Sequence, residues 1–363
     1  MTREQVYNFS AGPSVLPEAA LKQAGEEILN FNGSGMSVME MSHRSSVFQD
    51  IFDSTKAKFK AALGVPDTHE ILFLQGGASS QFSMVPLNLI GENGSADYAV
   101  TGNFANIAYK EAKKYGKINV AASSEDKNHT YIPEQSALKL DPNAKYFYYC
   151  SNNTIYGTAW NYVPETGNVP LVCDMSSEIL SRQIDVSKYG IIFAGAQKNM
   201  APAGLTVVII DKALAGHELP YTPLMMNYKT MIDKDSMYNT PPCWNIYMLG
   251  LTLDWVAENG GVAGMEKVKK ERSALLYDVI DNSSLYKGCA ESASRSDMNV
   301  TFRTGDEDMD AKFCKAATAA GFLNVKGHRN VGGMRASIYN AQPMEGVRKL
   351  AEFMKDFEVK NRV

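Results

Sequence analysis

The alternation of short apolar runs with amphipathic segments predicts an α/β fold. A mixed, mostly parallel sheet lies between helices, and a smaller α+β domain follows it. Three observations carry this. Runs suited to buried strands recur at 70–75, 96–100, 145–150, 169–173, 190–194 and 205–210, with helical or loop segments between them. Glycines or polar residues follow most of these runs, and open α/β sheets bind ligands at the carboxyl ends of their strands. Finally, a helical segment through Trp255 stops at Asn259, Gly260 and Gly261, and the pattern then changes. The chain is expected to divide into an arm at 1–15, a large domain at 16–257 and a small domain at 258–363.

A chain of 363 residues exceeds what one typical core fills, which agrees with two domains. The apolar fraction of 45% and charged fraction of 21% are those of an ordinary globular protein. A formal net charge of -4 gives no overall attraction to nucleic acid or anionic membrane, so any anion site is local. Cys150, Cys173, Cys243, Cys289 and Cys314 are odd in number and lack a Cys-x-x-Cys spacing, which argues against a disulfide framework and a zinc site. No metal is expected. The N-terminus lacks an apolar h-region and no stretch approaches membrane length, so the expected compartment is the cytoplasm.

Along the chain, the residues from Tyr7 to Ser14 are rich in turn formers and read as an arm, and a helix begins near Pro17. The polar loop Met41 to Ser46 contains His43 and Arg44 and leads to a helix with Val47, Phe48, Ile51 and Phe52 at helical spacing. The run 70–75 breaks at Gly76, Gly77 and Ala78 before an apolar helix beginning near Phe82. Strand, glycine turn, helix suits a phosphate cradle, because helix-start amides meet an anion that the glycines admit. No Gly-Lys-Ser/Thr follows, which speaks against a nucleotide P-loop. Phe104, Thr154, Asp174 and Gln197 with Lys198 follow later strands. In the second domain, helices are expected at 266–281, 309–320 and from Met344, and strands at 298–302 and 336–339. Between the last two helices stands a glycine-rich basic stretch with His328, Arg329 and Arg335.

Lys198 stands out because it sits among small residues, Gly195, Ala196, Ala201, Ala203 and Gly204, between two apolar runs. Two readings fit that segment equally: a lysine aimed at a bound molecule, or one that buries its stem and keeps its ammonium in water. Asp174 at a nearby strand end either caps a helix from Ser176 to Leu180 or faces the same pocket. An acid and a lysine in one pocket suit pyridoxal phosphate, with the lysine bonded to its aldehyde carbon and the carboxylate on its ring nitrogen. Thr154 then bonds ring substituents, Phe104 stacks, and Gly77, Ala78 and Gln197 donate to the phosphate. The pairs His43-Arg44 and His328-Arg329, with Arg335, suit clamps for a multiply charged substrate, although a single surface arginine more often forms an inconsequential ion pair.

These residues resemble the phosphoserine aminotransferase family, fold-type I pyridoxal-phosphate enzymes of the class-V aminotransferases. The likeness runs nearly the whole length. It is carried by Asn8-Phe9-Ser10-Ala11-Gly12-Pro13, Ser42-His43-Arg44, Ala194-Gly195-Ala196-Gln197-Lys198-Asn199, Asn239-Thr240-Pro241-Pro242, Gly327-His328-Arg329 and Gly333-Met334-Arg335. It implies that Lys198 is the Schiff-base lysine and proton carrier, with Asp174 on the pyridine nitrogen and one cofactor per subunit. It also implies a homodimer, with Asn239 and Thr240 reaching the phosphate from a second subunit. Arg335 is expected on the substrate α-carboxylate, and His43, Arg44, His328 and Arg329 on the phosphate or distal carboxylate. The implied reaction converts glutamate and 3-phosphohydroxypyruvate to 2-oxoglutarate and O-phosphoserine. Some members carry tryptophan at the position of Phe104, an arginine at Ala78-Ser79 and lysine at Ser46. Phenylalanine still stacks, whereas loss of the arginine removes a phosphate contact, which bears on whether 4-phosphohydroxythreonine is also accepted. A cysteine desulfurase needs a reactive loop cysteine, a cofactor-free aldolase needs no Asp174, and a phosphate-binding protein needs neither residue.

Overall fold

The structure is a computed structural model and describes residues 2–361. Strand β1 (Tyr7–Asn8) pairs in parallel with Phe322 and Leu323, far along the chain. Helix α1 (Glu18–Glu27) follows, then α2 (Ser46–Leu63). The Ser45 hydroxyl accepts the Phe48 N–H at 3.2 Å and so starts α2, and Gly64, at a left-handed φ of 62°, ends it. The α2 stripe of Phe48, Ile51, Phe52 and Phe59 is buried. Each such side chain contributes roughly 1.5–3 kcal/mol on leaving water, so the stripe holds α2 on the sheet more firmly than its caps do.

Next come β2 (His69–Leu74), α3 (Gly77–Leu89), β3 (Ser95–Val100), α4 (Asn103–Ala112), β4 (Lys117–Ser123) and β5 (Phe147–Cys150). A short hairpin of β6 (Asn152–Asn153) and β7 (Thr158–Ala159) precedes β8 (Leu171–Asp174), β9 (Ile191–Gly195) and β10 (Thr206–Asp211). Seven of these strands form one sheet in the order β2-β10-β9-β8-β5-β3-β4. Only β10 runs antiparallel to its neighbours, which gives the mixed, mostly parallel sheet expected. Ile71 and Phe73 of β2 join one core with α2, while Leu72 and Leu74 join another with α3 and α4, so helices cover both faces. Strand β4 was not expected. It lies at the sheet edge with Lys117 and Val120 exposed, so its sequence lacks the continuous apolar run of an inner strand.

The rest comprises α5 (Tyr228–Asp233), α6 (Cys243–Glu258), α7 (Gly261–Asp281), β11 (Lys287–Gly288), β12 (Asn299–Arg303), α8 (Glu307–Ala319), β13 (Phe322–Leu323), β14 (Met334–Ser337) and α9 (Met344–Asn361). Strands β11, β12 and β14 form an antiparallel sheet with its own core around Phe302, Phe313, Leu350 and Met354. The strand expected at 336–339 begins two residues earlier. A buried polar seam joins this sheet to the large one. Asn152 donates to Ser177 Oγ at 2.7 Å and to Asn299 Oδ1 at 2.8 Å, and Asn299 donates to Ser337 Oγ at 2.9 Å.

Candidate active site

Because β2, β3, β5, β8 and β9 point the same way, the turns after them lie along one edge of the sheet. Those turns carry Gly77, Ala78, Phe104, Thr154, Asp174, Gln197 and Lys198. At its centre, Lys198 Nζ donates to Thr154 Oγ1 at 2.8 Å and stands 5.6 Å from the centroid of the Phe104 ring. The ammonium therefore turns inward toward two groups. Phe104 begins the first turn of α4 and remains 37% exposed, a high value for an aromatic at a strand end, which leaves ring surface available for stacking.

Asp174 closes β8 and is only 3% exposed. Its Oδ1 accepts the Ser176 N–H at 2.9 Å. Residues 176–180 form turns and not a helix, so Asp174 closes a local turn instead of capping the helix considered above. Burial pushes its carboxyl above the usual aspartate value, while the Ser176 bonds and the Lys198 charge pull it down. A carboxylate so poorly hydrated gains from any cation brought against it, and a protonated ring nitrogen is such a cation.

The glycine turn opens α3 earlier than Phe82. Gly76 and Gly77 have φ of 88° and 63°, values that cost little only for glycine, and a Cβ on Gly76 would lie 1.9 Å from Ser80 Oγ. The helix consequently starts at Gly77, where its first amides have no intrahelical acceptor. The amides at Gly77 and Ala78 therefore stand in the first turn of α3, where a helix start leaves its N–H groups free of intrahelical partners. Gln197 folds back toward Gly195, where a Cβ would come within 2.7 Å of its Oε1.

The clamp residues are placed differently. Arg335, on β14, donates from Nη1 to the Thr154 carbonyl at 3.2 Å, which ties it to the lysine's own partner. Its Nε is buried with no protein acceptor, and burial lowers its affinity for the proton. Half-buried His328 accepts the Asn330 N–H on Nδ1 at 3.2 Å, which leaves the neutral ring's proton on Nε2. Burial, then the Arg335 and Arg329 charges, holds His328 below the usual histidine value. Arg329 is exposed. His43 and Arg44 lie before α2, and among the described residues no hydrogen bond, ion pair or ring contact joins them to Lys198, Thr154 or Arg335. Asn239 donates to Gln75 Oε1 at 3.0 Å, and Gln75 Nε2 donates to the Thr240 carbonyl at 3.0 Å, so both sit beside the glycine turn of their own chain.

A family model described as aminotransferase class-V matches residues 6–350. A phosphoserine aminotransferase from Chromobacterium violaceum is 52% identical over 97% of this chain and 98% of its own length. The chain belongs to the class-V aminotransferases, among the phosphoserine aminotransferases. The Janthinobacterium member is 49% identical over 98% of this chain and 99% of its own. A solved phosphoserine aminotransferase of Bacillus circulans subsp. alkalophilus superposes with a TM-score of 0.97 at 45% identity, covering 98% of this chain and 99% of that one. A structure of the Trichomonas vaginalis enzyme described as PLP-bound has a TM-score of 0.92 at 39% identity, covering 96% and 99%. This is the fold-type I architecture.

Several supporting residues were not singled out from the sequence. Thr101 Oγ1 accepts from Trp160 Nε1 at 3.3 Å and Asn153 Nδ2 at 3.4 Å, bracing the turn that carries Phe104. Asn199 Oδ1 accepts the Asn340 N–H at 3.0 Å, fixing the residue after Lys198. These bonds join residues distant in sequence, and no local pattern reveals the pairing. All five cysteine thiols are pushed up by burial, which works against the reactive thiolate a desulfurase needs. Among the described residues no helix is long and apolar enough to cross a membrane, and no cluster of three or more His, Cys, Asp or Glu suits a metal ion.

Proposed function

We propose that this chain transfers the amino group of L-glutamate to 3-phosphohydroxypyruvate, giving 2-oxoglutarate and O-phospho-L-serine, with pyridoxal phosphate as cofactor, one per subunit. The observation that carries the reading is Lys198, held by Thr154 beside the face of Phe104 and near buried Asp174, in a chain about half identical to phosphoserine aminotransferases along its whole length. The residues fit the cofactor. The Gly77-Ala78 cradle suits its phosphate, the open Phe104 face its ring and Asp174 its ring nitrogen. When bound, pyridoxal phosphate supplies an electron sink for the substrate α-carbon.

Lys198 would hold the cofactor at its aldehyde carbon, and its amine would move the proton at the substrate α-carbon. Asp174 keeps the ring nitrogen protonated, and Thr154 and Phe104 orient the ring. Arg335, with its unpartnered Nε, binds the α-carboxylate, while His43, Arg44, His328 and Arg329 bind the phosphate or the distal carboxylate of glutamate. Gln197 joins the cradle, and Asn239 and Thr240 reach the phosphate of a second subunit, so the working unit is a homodimer. The arm is 1–15, the large domain 16–257 and the small domain 258–363. A second substrate in this reading is 4-phosphohydroxythreonine, in pyridoxine biosynthesis, although the lack of an arginine at Ala78-Ser79 takes one phosphate contact from either phosphorylated substrate, and the protein works in the cytoplasm.

The test is the half-reaction of the yellow holoenzyme with O-phosphoserine, serine, alanine and glutamate, followed by cofactor absorbance. Phosphoserine and glutamate are expected to convert the cofactor far faster than serine or alanine. Equal rates for serine and phosphoserine would remove the phosphate clamp from the reading.

A further inference from the structure

We propose that Ser14, with Gly12 beside it, is a positioning residue for Lys198, fixing the lysine backbone and bounding the arc of its side chain; this rests on the aminotransferase reading above. The turn after β9 closes on a single carbonyl. Ala196 O accepts the N–H groups of Met200 at 3.0 Å and Ala201 at 2.9 Å. The next two carbonyls, of Gln197 and Lys198, are satisfied from outside the turn, both by the arm. Ser14 N–H donates to Gln197 O at 3.0 Å, and the Ser14 hydroxyl donates to Lys198 O. Asn199, the following residue, is pinned by Asn340. Three consecutive residues are therefore held by groups distant in sequence.

Gly12 provides the wall. Its φ of 139° is one that side chains rarely adopt, and a Cβ there would lie 3.3 Å from Lys198 Cγ and 3.6 Å from its Cε. The glycine backbone therefore packs along the lysine stem and limits its swing to the side of Thr154 and Phe104. The arm is anchored at its other end. Phe9 N–H donates to Leu323 O at 3.0 Å, Ser337 N–H to Phe9 O at 3.3 Å, and the Tyr339 hydroxyl to Ala11 O at 2.7 Å. Strand β14 carries Arg335, so the arm links the residue expected on the substrate carboxylate to the carbonyl of the lysine that moves the proton.

A lysine with four rotatable bonds reaches a substrate carbon reproducibly only if its Cα is fixed and its rotamers are few. Ser14→Ala leaves Lys198 O without its donor and frees that Cα. In the holoenzyme it is expected to lower kcat about tenfold, as a displacement well under 1 Å does, with KM for glutamate unchanged. The pH midpoint of the bound cofactor's absorbance shifts with it, because that midpoint reports the surroundings of Lys198 Nζ. Ser14→Thr, which keeps the hydroxyl, restores both, and Gly12→Ala, pressing on the stem, reproduces the Ser14→Ala signature. The proposal is overturned if Ser14→Ala keeps wild-type kcat and midpoint, or if it changes only Tm and KM while the midpoint stays. A wild-type chain that binds no pyridoxal phosphate overturns the functional reading as well, and that measurement is made first.

Discussion

The two halves of the site differ in how completely the chain finishes them. On the sheet side, Lys198 has Thr154 and the Phe104 face, Asp174 has Ser176, and the turns beneath are braced by Trp160, Asn153 and Asn199. On the clamp side, Arg329 and Arg44 are exposed, and Arg335 keeps an unpartnered nitrogen. On the function proposed, rigidity lies where bonds would be made and broken. Donors are left open where charges arrive and leave, since a clamp satisfied within the protein would have to break its own bonds to accept substrate.

Removing the amine from the finished half has the largest expected effect. Lys198→Ala is expected to cut turnover by about 10⁴-fold, the upper range for losing an acid–base group. Borohydride-fixed cofactor should also disappear from the peptide containing position 198 in a mass spectrum. A variant still labelled there, or one of near-native rate, would move the chemistry elsewhere.

Asp174→Asn should separate function from stability. Loss of a preorganised charge costs roughly 10²–10³-fold in kcat. The raised carboxyl means that the folded state binds a proton more readily than the unfolded one. Folding therefore carries a penalty at neutral pH that disappears as pH falls through the raised value. The neutral amide lacks that penalty, so the cofactor-free variant should melt above the cofactor-free wild type at pH 7. A lower Tm would show that Asp174 stabilises the bare fold.

On the open half, Arg335→Ala should slow the glutamate half-reaction by about 10²-fold, as expected for a charge-assisted bond of 1.5–3 kcal/mol. Cofactor affinity should stay unchanged. Equal loss of both would make the arginine a brace for Thr154. Arg329→Ala is expected to be milder, raising KM for phosphorylated substrates about tenfold while leaving alanine untouched, with the difference shrinking as salt rises. The smallest effect concerns His328. Its folded value is depressed, so its cost to stability appears as pH falls through the ordinary histidine range, and His328→Gln should flatten the melting profile there. A profile as steep as that of the wild type would assign the slope to another group.

The same division governs what could be read beforehand. Inner strands announced themselves because both faces are buried, and in a parallel sheet the residues just beyond them share one edge, which is why Asp174 and Lys198 were paired. Edge strand β4, half solvated, has no such signature. The start of α3 was misplaced because Gly76 and Gly77 look like pure turn, whereas their positive φ values set the helix's first residue. The hold of Ser14 on Lys198 spans 184 residues and has no local period to reveal it. Asn239 and Thr240 drew their expected roles from family resemblance, and a single chain contains none of the second-subunit contacts those roles require.

The seam of Asn152, Ser177, Asn299 and Ser337 has a calorimetric consequence. Bonds of this kind are directional and are satisfied in one alignment only, and opening the joint strands several buried dipoles at once. An oily joint would let the carboxyl-terminal sheet slide or melt by itself. This one is expected to couple the two cores into a single cooperative endotherm, which Asn299→Ala should split into two.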